Sequence, residues 1–185
     1  MKKFFGHLKT ILKHRHTVIR HCFRAGIGLQ GLRHDLSKFS PTEFIPGIKY
    51  YLGYRSPNEK ERELYGFSSA WLHHKGRNKH HYEYWLDPVH MKEPCRMPMR
   101  YIAEMFCDRV AACKIYQKEK YTPKSPLEYM LSRPQEKELM HPDTYGMLQQ
   151  LFHLLQEWGE DKTCTYIKDL VYSDEHPNDL RKGKA

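Results

Sequence analysis

Nine of the thirteen histidines in this 185-residue chain fall between His14 and His90, and four of them form the doublets His73-His74 and His80-His81. Scatter over a surface does not concentrate imidazoles in this way, and neutral imidazole is the commonest protein ligand for metals. The pair His34-Asp35 sits in Leu-Arg-His-Asp-Leu-Ser-Lys-Phe, between leucines that suit burial. A buried imidazole and a buried carboxylate each need a partner. A hydrogen bond between the two is the simplest answer. A divalent cation satisfies both at once, and this donor pair suits zinc, manganese or iron.

Asp108 favours the cation. Its helical neighbours at three and four residues are Met105, Ala111 and Ala112, so an acid is aimed at the core beside alanines that leave room for an ion. Glu104 and Arg109 lie at the margin, where they can bond to the ligands. Near the N-terminus, His14 lies one and two turns before Val18 and Cys22, with His21 on the same side, while His16 lines up with Leu12, Ile19 and Phe23. His14 is the preferred ligand of the two. In the stretch Trp71 to Trp85 each doublet offers one inward and one outward ring, so one or two of His73, His74, His80 and His81 are expected as ligands. Lys75, Arg77 and Lys79 remain to hold an anion.

Helices must position these residues. Apolar side chains at Phe4, Leu8, Ile11, Leu12, Val18, Ile19, Cys22 and Phe23 have a helical period that ends at Gly26 and Gly28. A second helix is expected from about Gln30 through Leu32, Leu36 and Phe39, stopping at Ser40-Pro41. A third, capped by Ser40 or Thr42, passes through Phe44, Ile48 and Tyr51 despite Pro46. A short helix from Pro57, a segment Ala70 to His74 capped by Ser68 or Ser69, and a helical piece from Asn78 to Trp85 follow. Residues 87 to 99 read as an irregular loop. The clearest helix runs from about Met99 to Lys118, followed by amphipathic segments Tyr145 to Trp158 and Cys164 to Tyr172. No run alternates long enough for a strand. The expected fold is all-α, a single domain with a core over 1–122, helices over 123–172 packed on it, and a polar tail over 173–185.

Composition agrees with a folded chain, since aromatics at 13% offset a mean hydropathy of -0.81. The net charge of +9 attracts phosphates, nucleic acids or anionic metabolites without choosing among them. Five cysteines without a Cys-x-x-Cys fit neither a disulfide framework nor a cysteine zinc site. No segment approaches the roughly 18 apolar residues of a membrane span, and Met1 to Leu12 lacks a signal-peptide cleavage region. A cytoplasmic protein without a membrane partner is the expectation.

The ordered set of a histidine at 14 or 16, His34-Asp35, His73-His74 and Asp108 resembles the HD superfamily of metal-dependent phosphohydrolases over about residues 10 to 116. His34-Asp-Leu-Ser-Lys38 is similar to that superfamily's His-Asp-x-Gly-Lys, with Ser37 in place of the glycine. Asp108-Arg-Val-Ala-Ala112 is similar to its final metal-binding aspartate, and His73-His-Lys-Gly-Arg77 to the His-His segment of the cyclic-di-nucleotide phosphodiesterase branch. No Gly-Tyr-Pro follows the first doublet, so that specificity is not carried over. The chain also resembles an uncharacterised bacterial family through Leu-x-His-Asp-Leu-Ser-Lys, Ser-Pro-Thr-Glu-Phe and Trp-Leu-His-His-Lys-Gly-Arg-Asn-Lys-His-His.

The resemblance implies a helical bundle of HD type that binds one or two divalent ions (Mn, Zn, Fe or Mg). His14, His34, Asp35 and Asp108 would hold the first, and His73 or His74 with His80 or His81 the second. Asp35 and Lys38 would act in catalysis, with Lys38, Lys75 and Arg77 contacting a phosphorylated small molecule or nucleotide. Two alternatives keep the metal: a di-iron oxygenase on the same donors, and a non-catalytic module that binds nucleic acid through the basic surface.

Overall fold

A computed structural model describes residues 1–87, 89 and 94–175. Helix α1 spans Lys2–Arg24, α2 Gly28–Arg33, α3 Pro41–Lys49, α4 Pro57–Tyr65, α5 Ser69–Lys75 and α6 Met99–Gln117. Then come α7 Ser125–Leu131, α8 Gln135–Leu139 and α9 Pro142–Glu175. Single 3-10 turns occupy Leu36–Phe39, Tyr82–Trp85 and Lys118–Lys120. No strand occurs among the described residues, so the fold is all-α. His90 and the tail from 176 lie outside them.

Helix α6 is the axis. It packs on α1 and α9, and α1 also meets α2, α3 and α9, while α3 and α5 pair at one side. Val18 and Cys22 of α1, Ile102, Phe106 and Val110 of α6, and Leu148, Phe152 and Ile167 of α9 fill one apolar cluster, with the Phe106 and Phe152 rings stacked at 5.4 Å. Each such fully buried side chain contributes about 1.5–3 kcal/mol. The helices after residue 122 therefore share the core of those before it. Helix α9 joins both expected C-terminal segments and bends at Gly159, whose φ of 75° is open to glycine without steric cost.

Two elements differ from expectation. The second helix does not run on to Phe39: it ends at Arg33, His34 is extended (φ -52°, ψ 127°), and Asp35 is left-handed (φ 53°). The period of Leu32, Leu36 and Phe39 hides this break, yet those side chains are exposed rather than core. The helical piece from Asn78 is only the 3-10 turn Tyr82–Trp85, with His80 and His81 in the turn before it. The expected cap of α5 is Ser68, whose Oγ accepts from Trp71 N at 3.0 Å and donates to Glu61.

Where α1, α6 and the bend of α9 meet, His21 donates through Nδ1 to Thr17 O at 2.7 Å, and its Nε2 faces Glu160 at 3.2 Å. Lys114 bonds the same Glu160 at 2.5 Å. His21 thus belongs to this network and not to a group with His14. The bond from His21 and the neighbouring Lys114 outweigh burial and hold the Glu160 carboxyl at about 2. Its folded pKa is depressed, so its stabilisation is present above the usual carboxylate range and lost as pH falls toward 2. After allowance for partial exposure, Glu160→Gln is expected to cost on the order of 1–2 kcal/mol at pH 7 and almost nothing at pH 2, as melting temperatures across that range would show.

Candidate metal centre

The left-handed turn at Asp35 does structural work for the site. With His34 extended and Asp35 at φ 53°, both side chains turn inward and are almost wholly buried. Aspartate is one of the few non-glycine residues that tolerate this conformation. Helix α1 adds His14, helix α6 adds Glu104 and Asp108, helix α5 adds His74, and the turn after it adds His80 and His81.

These side chains form two overlapping four-member donor groups, His14 with His34, Asp35 and Asp108, and Asp35 with His74, His80 and His81, and a smaller third of His34, His80 and Glu104; in each the donor atoms lie within 4.8 Å of one another. Asp35 belongs to both of the larger groups. Its Oδ2 lies 3.2 Å from His34 Nε2, and its Oδ1 lies 3.3 Å from His74 Nε2 and 3.5 Å from His80 Nε2. Asp108 Oδ1 is 2.9 Å from His14 Nε2 and 3.6 Å from His34 Nε2.

The outer nitrogens are already committed. Glu104 Oε1 accepts Nδ1–H of His34 at 2.9 Å and lies 3.2 Å from His80 Nδ1, and Gln30 donates to its other oxygen. Glu43 accepts from His74 Nδ1 and from His73 Nδ1, both at 2.7 Å. A neutral histidine that donates through Nδ1 presents a bare lone pair at Nε2, which is how ligating histidines are oriented. The inner atoms converge on one another: His14, His34, His80 and His81 Nε2 and both Asp35 oxygens are buried and lack an aligned hydrogen bond, and their polar neighbours include one another, Asp108 and Lys38.

Charge in the cluster follows from the same packing. Burial opposes ionisation of Asp35, but the positive His34, Lys38 and His74 overcome it and hold the carboxyl well below its usual range. Burial likewise opposes a charged His34, yet Asp35 and the bonds to Asp108 and Glu104 raise its pKa well above the ordinary imidazole value. His81 is pushed far down by burial, then by His80 and His74, and stays neutral. Without a cation, protons must balance these acids; a divalent ion can replace them. The donors are nitrogen and oxygen only, a set that suits zinc, manganese or iron better than magnesium. The described residues contain buried groups that can hold one ion or two.

Several expected ligands have other surroundings. His73 is only half-buried and reaches Glu43, so it supports the site from outside. His16 is exposed. Arg109 bonds Glu136 at 2.8 Å and none of the donor groups. Lys38 Nζ lies 2.6 Å from Asp35 Oδ2.

A cleft of about 380 Å³ opens above the cluster, reached by His14, Lys38, His74, His81 and Asp108. Tyr51, Trp71 and Tyr116 stand in its walls, and Arg62, Arg109 and Arg133 also line it. Lys75 and Arg77 line no part of it; Arg77 is exposed and bonds His73 O. The cleft arginines come from distant segments, while Lys75 and Arg77 are only close in sequence to the doublets.

Glu43 and His7 were not singled out from the sequence. His7 lies in the cleft wall one heptad before His14, and the spacing His7, His14, His21 beside Ile11 and Val18 was the available signal. Burial, with Lys38 nearby, lowers its pKa to about 4. Helix α3 approaches so closely that a Cβ at Gly47 would sit 2.1 Å from His7 Nε2. Gly47→Ala should therefore displace a ring confined by Phe44 and Tyr51 and cost about 1–3 kcal/mol, readable as a lowered melting temperature.

Fold and site together define an all-helical protein built around a buried histidine–carboxylate centre. The chain belongs to the Family of unknown function (DUF5662), whose profile matches residues 3–154 and so includes every residue of both donor groups. No curated protein and no solved structure matches the chain significantly.

Proposed function

We propose that the protein is a metal-dependent phosphohydrolase of HD type, acting on a small phosphomonoester or phosphodiester. The observation that carries this reading is the set of buried nitrogen and oxygen donors, without aligned hydrogen bonds, that converges on Asp35. His14, His34, Asp35 and Asp108 would hold one divalent ion, and Asp35 with His74 and His80 or His81 a second. Such ions supply an acidified water as nucleophile and neutralise charge at phosphorus. The protein's own part is orientation: Glu104 and Glu43 fix the rings through Nδ1, and Lys38 places an ammonium at the cleft floor where a phosphoryl oxygen can be met. The walls of Tyr51, Trp71 and Tyr116 would narrow the approach to that floor.

A di-iron oxygenase is the second reading. It uses the same donors and is favoured by one observation, that Lys75 and Arg77 do not face the cleft. Metal analysis of the purified chain, with hydrolysis of p-nitrophenyl phosphate and bis(p-nitrophenyl) phosphate under manganese, zinc and iron, decides between them. Bound metal with hydrolysis that disappears in Asp108→Ala supports the phosphohydrolase. Coloured, iron-loaded protein inert toward both esters would replace it with the oxygenase.

A further inference from the structure

Helix α1 carries three lengthwise rows, because successive residues turn by about 100°. The inner row, His7, Ile11, His14, Val18, His21 and Cys22, is buried against the site and core. A second row, Phe5, Leu12, Ile19 and Phe23, faces outward, with Phe5 63%, Leu12 49% and Phe23 57% exposed. Beside it runs a third, exposed row of Lys2, Lys9, Lys13 and Arg20. The apolar row continues onto the next segment: Gly28 abuts the Phe23 ring, Arg15 bonds Leu32 O at 2.7 Å, and Leu29, Leu32 and Leu36 are exposed, Leu29 by 80%. Isolated exposed leucines need no explanation, but a contiguous strip does.

We propose that this face docks on the surface of an anionic phospholipid bilayer, its apolar row entering the interface and its lysines and arginines lying among the headgroups. Charge selects the occupant. The first 34 residues contain eight Lys or Arg and no Asp or Glu. The acids that pair with α1 are Asp108, on its inner face, and Glu160 and Asp161, at its C-terminal end. A second copy would set two surfaces of the same sign together, and a nucleic-acid backbone would leave the leucines uncovered. An amphipathic helix with aromatic and aliphatic residues beside a basic row is the arrangement that lies in a membrane interface. No helix of the described residues is long and apolar enough to cross a membrane, and surface docking requires none.

The test is co-sedimentation of the full chain with vesicles of phosphatidylcholine alone and of phosphatidylcholine with about one-third phosphatidylserine. Binding is expected only to the mixed vesicles and should weaken as salt rises. The triple variant Lys9→Glu, Lys13→Glu, Arg20→Glu should lower partitioning by about a hundredfold or more. Leu29→Ser with Leu32→Ser should lower it at unchanged charge; should that pair lose helical circular dichroism, the charge variant decides alone. Equal binding to neutral vesicles, no binding to either, or a dimer in light scattering that the leucine variant dissolves would overturn the proposal. So would retention of duplex DNA by a chain that ignores both vesicles.

Discussion

Asp35→Ala is expected to abolish metal retention at both donor groups in one step. Asp35 is the member they share, with one oxygen toward His34 and the other toward His74 and His80. Loss of a supporting residue beyond the ligands typically lowers affinity by about 10–100-fold, and loss of a shared ligand should exceed that. Stability also changes, because in the metal-free chain Asp35 balances His34, Lys38 and His74, and removing one partner of a buried charge pair costs about 3–5 kcal/mol. Asp35→Asn separates the effects, since asparagine also accepts a left-handed backbone. Metal content of the purified variants, read beside their melting curves, makes the comparison. A folded Asp35→Asn protein with the wild-type complement of metal would dismiss the two-group site.

Glu104→Ala carries the second largest expected effect, although Glu104 lies outside the two four-member donor groups. Its Oε1 faces Nδ1 of both His34 and His80, so its removal leaves two imidazole N–H groups buried without acceptors and frees both rings to turn. Despite the cost of burial, these histidines keep the Glu104 carboxyl at about 2, so it is fully charged where the protein works. Affinity for zinc or manganese, measured by calorimetric titration, should fall by about 10–100-fold, with a stability loss of about 3–5 kcal/mol. Glu104→Gln keeps an acceptor oxygen and should recover part of both. Metal affinity that stays at the wild-type value in Glu104→Ala would show that ring orientation does not depend on this carboxylate.

How much of this could be read in advance differs by residue, for physical reasons. His34, Asp35 and Asp108 were legible because each is a polar group set among apolar neighbours, and burial of such a group demands a partner. His14 over His16 was legible from helical phase alone. The break between α2 and the turn at Asp35 was not, because Asp35 enters the left-handed region with no glycine or proline to announce it, while leucines on both sides extend a helical period. Glu43 was hidden for another reason: it accepts bonds from histidines thirty residues away, and local sequence carries no trace of that. Lys75 and Arg77 were favoured by closeness to the doublets, whereas Arg62, Arg109 and Arg133 reach the cleft only through the packing of α4, α6 and the link after α7.

The placement of Asp35 between two donor groups bears on how the centre would fill. A carboxylate whose oxygens face opposite groups would be fixed in position by the first cation to arrive, and the second would meet a ligand already immobilised. Its charge also offsets repulsion between the ions. Occupancy should then rise sigmoidally with metal concentration, with a Hill coefficient above one, and a chelator should strip the centre in a single phase rather than through a long-lived half-loaded form.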